Sequence, residues 1–66
     1  MTDQDRRRLE RRAAAFRGPD RAMEHLERIR FEDPDTFATL GPNKRIALGH
    51  YQAAREAARA LGRDVG

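Results

Sequence analysis

The sequence predicts an all-α fold, a small three-helix bundle with a short additional connecting helix. Three observations predict it. Apolar residues recur at helical spacing in successive stretches of the chain. Gly18-Pro19, Pro34 and Gly41-Pro42 interrupt that spacing where helices must stop and restart. No stretch alternates apolar and polar residues as a strand does, and the chain holds one Val and two Ile. The expected organisation is a single helical domain over 1–62 and a disordered tail over 63–66.

The first helix is expected from about Asp3 to Phe16. Thr2 or Asp3 supplies the cap, and Asp3 and Asp5 suit the positive end of the helix dipole. Leu9, Ala13 and Phe16 form a narrow apolar stripe, with Arg7, Arg8 and Arg11 on the opposite face. Gly18 is expected to close this helix, and Pro19 or Asp20 to open the next. That second helix runs to about Arg30 and buries Ala22, Met23, Leu26 and Ile29.

Pro34 disfavours helical geometry at Asp33, so a break is expected there. Asp33 then caps a short third helix with Pro34 in its first position and Phe37 and Leu40 as anchors. Gly41 is expected to end it with positive φ.

The longest helical pattern runs from Pro42 to Leu61. Projected at about 100° per residue, it shows an apolar arc of Ile46, Ala47, His50, Tyr51, Ala53, Ala54, Ala57, Ala58 and Leu61. That arc is expected to face the other helices, with His50 packed inside it. The opposite arc holds Lys44, Arg45, Gln52, Arg55, Glu56 and Arg59, and Leu48 falls among them.

Composition narrows the function. A chain of 66 residues forms one domain at most and buries only about 60% of its unfolded surface. It has no Cys, so neither disulfides nor thiolate metal sites reinforce it. A thin core without a staple points to completion by a partner or by a second copy, a homo-oligomer. No apolar run reaches membrane-span length, and the first residues lack an apolar signal-peptide core. No membrane association and a cytoplasmic location are the resulting expectations.

The net charge is +3, and all of it lies in residues 1–17, where six Arg face three carboxylates. The remainder is neutral. Neither His25 nor His50 has a carboxylate or second His at helical ligand spacing, so no metal site is expected. Glu32, Asp33 and Asp35 lack the glycine and closing glutamate of a calcium loop and fit capping better. Gly41-Pro42-Asn43-Lys44 lacks the remainder of a phosphate-loop pattern. There is no Ser, and no Thr has a nearby His in sequence, so a nucleophile is not expected. Neither an enzyme nor a cofactor is read here.

The leading expectation is a non-catalytic accessory or regulatory module acting by protein–protein interaction. Leu48, an apolar residue rimmed by Arg45 and Arg55, is the expected contact, joined by Arg7 and Arg11. The alternative is a small DNA-binding regulator with a helix-turn-helix-like outline over 34–52. Asn43, Lys44 and Arg45 would read the duplex, while Arg7, Arg8 and Arg11 would neutralise phosphates.

Overall fold

A computed structural model describes residues 2–65, which form four helices and no strand. They are α1 (Asp3–Ala14), α2 (Arg21–Glu32), α3 (Pro34–Thr39) and α4 (Pro42–Ala60). The all-α class and the four segments agree with the sequence.

Local chemistry sets most helix ends. Thr2 caps α1 by accepting a hydrogen bond from the Asp5 amide at 3.2 Å. Asp20 caps α2, its Oδ1 accepting from the amides of Ala22 at 2.9 Å and Met23 at 3.3 Å. Pro19 therefore stands before α2 and not inside it. Asp33 caps α3 by accepting from both the amide and the hydroxyl of Thr36, with Pro34 in the first turn as expected.

The helix exits differ more. α1 stops at Ala14, earlier than its periodicity predicts, and Phe16 leaves the helix to meet Tyr51 with ring centroids 5.7 Å apart. Gly18 lies beyond that exit in the left-handed region, at φ 110°. Gly41 does not take positive φ. It is extended at φ −63° and serves as the N-cap of α4. Gly62, at φ 75°, closes α4 in a Schellman arrangement: its amide bonds Arg59 O and the Arg63 amide bonds Ala58 O.

The helices form a small bundle of open outline. α4 is the shared support: α1 packs on it, α2 packs on it, and α3 packs on α2 alone. α1 runs antiparallel to α4. Ala13, Ala57 and Ala58 are buried where they meet, with Leu9, Phe16, Leu61 and Val65 half-buried around them. Val65 thus packs on the core from the stretch expected to be a tail; the last residue of that stretch lies outside the described residues.

The α2 side is held partly by polar contacts. Gln52 Nε2 donates to Glu27 Oε2 at 2.9 Å, and Arg30 Nη1 donates to Gln52 Oε1 at 3.1 Å. Arg55 forms a bidentate pair with Glu27, Nη1 to Oε1 at 3.1 Å and Nη2 to Oε2. The Asp20 amide donates to the Tyr51 hydroxyl at 3.3 Å, tying the start of α2 to the same helix.

This arrangement corrects the expected orientation of α4. Leu48 is only 1% exposed, whereas Ile46 is 58% exposed and His50 is also on the surface. Leu48, Gln52 and Arg55 share one face by i, i+4, i+7 spacing, and that face is covered by α2. The residues expected to be buried in the first half of α4 are left open because α1 is too short. Its 12 residues span about 18 Å, against about 28 Å for the 19 of α4. α1 covers the alanine-rich second half and ends near Tyr51.

The resulting molecule is elongated, 40 × 22 × 16 Å, with a radius of gyration of 13.4 Å. A compact chain of this length would have about 11 Å.

Candidate functional site

The uncovered side of the α1–α4 pair forms a groove of about 570 Å³. Arg8, Arg11 and Arg12 of α1 line one wall, and His50 of α4 lines the other. Ala15, Gly49, Ala53 and Ala54 line the space between them. Helical spacing dictates this placement. Arg8, Arg11 and Arg12 stand at i, i+3, i+4, so their stems share one side of α1. Gly49 and Ala53 stand at i, i+4 on α4, and Ile46 continues the same stripe by one turn.

Electrostatics make the groove distinct. The described ion pairs are Arg6–Glu10, Glu27–Arg55 and Glu56–Arg59, so Arg8, Arg11 and Arg12 have no carboxylate partner among the described residues. Among the described residues no acidic side chain lines the groove. The charge excess read from residues 1–17 is therefore concentrated where two helices leave a gap.

Gly49 lies in the middle of a helix, where it destabilises by about 1 kcal/mol relative to Ala. A Cβ placed there would meet nothing within 4 Å. The fold of the single chain gives no steric reason for a glycine at this position. An occupant lying close to the α4 backbone would supply one.

The expected contact residues are dispersed. Leu48 is buried under α2 and is not a surface contact. Arg55 is engaged by Glu27 and stacks with its guanidinium carbon 5.4 Å from the Tyr51 ring centroid, so it too belongs to the α2–α4 junction. The Glu27 and Gln52 bonds explain why this face looked polar in projection although it is covered. Hydrogen bonding from Arg55, then from Gln52, holds the Glu27 carboxyl below its ordinary range. The same bond from Glu27 raises Arg55 further. Arg7 is exposed beside Glu10, Arg11 and Ala14, on the outer side of α1 rather than in the groove. Arg11 borders both sides.

The DNA-reading set is likewise divided. Asn43, Lys44 and Arg45 are exposed in the first turn of α4. Arg8 and Arg11 meet α4 further along, at Gly49 to Ala54. α3 does not pack against α4, so the two helices over 34–52 lack the mutual bracing of a helix-turn-helix unit.

Two groove residues escaped the reading of the sequence. Arg12 was not separated from its neighbours, and His50 was assigned to the core. The signal for Arg12 was its i, i+4 relation to Arg8. His50 had no local signal, because its exposure depends on where α1 ends.

Among the described residues, no three His, Cys, Asp or Glu side chains come together as a metal-binding group. No helix of the described chain is long and apolar enough to cross a membrane. No protein-family model matches the chain, and neither a curated protein nor a solved structure matches it.

Proposed function

We propose that this chain is a non-catalytic accessory module of the cytoplasm, whose α1–α4 groove receives an acidic helical segment of another protein. The observation that carries this reading is the set of three arginines without carboxylate partners among the described residues, around an apolar, alanine- and glycine-lined gap. Carboxylates at i, i+4 on an incoming helix repeat at the same spacing as Arg8 and Arg12. The small residues between the walls allow close helix approach, and exposed Ile46 extends the apolar stripe beyond the charged region.

Nucleic acid would satisfy the arginines but would leave the methyl-lined floor without a partner. That difference favours a peptide. The test is anisotropy of a labelled, designed amphipathic helix with glutamates at i, i+4 and i+7, measured beside a labelled DNA duplex. The peptide is expected to bind, and Arg8→Ala/Arg12→Ala to weaken it about tenfold while leaving helicity unchanged. Duplex binding with a steep salt dependence and no peptide binding would replace this reading with the DNA-binding one. Binding of neither ligand would remove the groove as a site.

A further inference from the structure

We infer that the groove also accepts a second copy of this chain, through the acidic corner around Phe31 at the α2–α3 junction, giving head-to-tail self-association. This rests on the groove being a receptor for acidic segments and names one such segment.

Phe31 is the largest exposed apolar side chain among the described residues, at 89%. It is followed by Glu32 and Asp35, which are exposed and whose carboxylates form no ion pair among the described residues. Asp33 between them is already bonded to Thr36. Arg28 and Arg30 stand against Glu32, Asp33 and Asp35 over residues 28–35, which leaves the corner at a net charge of −1, with Arg30 bonded to Gln52. The corner thus combines an aromatic tip with flanking carboxylates. The groove combines an apolar floor with flanking guanidinium groups. Seating Phe31 against Ala15, Gly49 and Ala53 would bring Glu32 and Asp35 toward Arg8 and Arg12.

Charge also selects the mode of pairing. Groove against groove would oppose two sets of arginines, and corner against corner would oppose two sets of carboxylates. Only groove against corner is attractive. A pair joined by one such contact is heterologous and keeps one groove and one corner free to extend.

The exposed area is consistent with such a partner. The chain exposes 5289 Å², whereas a compact monomer of its mass exposes about 4,300 Å². The surplus of about 1,000 Å² is comparable with the 800 Å² or so that each partner contributes to a standard interface.

The test is sedimentation of the whole chain up to about 1 mM, at about 10 mM salt, where screening is weak. The wild type is expected to gain mass continuously with concentration. Phe31→Ser, which loses the tip, and Gly49→Leu, which fills the groove, should each sediment as single chains. Mixed in equal amounts they retain one intact corner and one intact groove, so the mixture should form pairs that do not extend. Arg8→Glu/Arg12→Glu replaces Gly49→Leu if circular dichroism shows that the latter is unfolded. A wild type that stays at the mass of one chain, assembly by Phe31→Ser, or a mixture of unpaired chains would each overturn the proposal. The glutamate helix is titrated in parallel: binding without self-association overturns this pairing alone, whereas loss of both overturns the groove itself.

Discussion

Arg55 presents both terminal guanidinium nitrogens to the two carboxylate oxygens of Glu27, joining the middle of α4 to α2 across a separation of 28 residues. With Gln52 bonded to the same carboxylate, this is the principal polar connection between those helices. Glu27→Gln keeps the shape and removes the charge. It is expected to destabilise the fold by about 1–2 kcal/mol. In a domain of this size that lowers Tm by roughly 4–8 °C per kcal/mol, measurable by thermal circular dichroism.

The same contact sets an acid limit on stability. Glu27 is held below its ordinary range first by Arg55 and then by Gln52. A carboxyl depressed on folding contributes stability that is complete above its unfolded pKa, about 4.3, and is lost as pH falls through the folded value. Asp33, held low by the Thr36 hydroxyl and amide, acts in the same direction. Tm is therefore expected to hold between about pH 5 and 7 and to fall below about pH 4.3. Glu27→Gln should flatten that acid slope; an unchanged slope would assign it to other carboxylates.

Leu48 is the most deeply buried large side chain described. Leu48→Ala is expected to cost about 2–4 kcal/mol, a large share of the total stability of so small a domain. Leu48→Glu should unfold it. Urea denaturation checks the first, and far-ultraviolet circular dichroism checks the second. A folded Leu48→Glu variant would contradict the α2–α4 packing.

Gly49 and Gly62 should respond oppositely to the same substitution. Gly49→Ala adds a methyl where nothing lies within 4 Å, and should raise stability by about 0.5–1 kcal/mol. Gly62→Ala forces an L side chain into φ 75° at the end of α4 and should lower it by about 1 kcal/mol. Paired urea melts distinguish the two signs.

Much of this protein was legible in the sequence because helix boundaries are local. Asp33 and Pro34 specify the α3 start through one side-chain bond and one fixed φ. Thr2, one of the two caps the sequence offered for α1, acts through one side-chain bond, whereas Asp20 as the cap of α2 was seen only in the structure. The clustering of arginine on one side of α1 is equally a property of spacing along a single helix.

The inner and outer faces of α4 were not local. Projection of α4 favoured one broad apolar arc through Ile46 and His50 and placed Leu48 outside it. Only the tertiary structure decided otherwise. α1 reaches just the second half of α4, which leaves Ile46 and His50 uncovered. α2 crosses the face bearing Leu48, Gln52 and Arg55, and Glu27 supplies the partners that allow those polar groups to be partly buried there. The sequence by itself determined four helices, the Asp33 cap of α3 and the side of α1 that carries the charge, because bonds and spacings a few residues apart set them. The groove beside that charge came from the lengths and crossing of separate helices, which no spacing within one helix encodes.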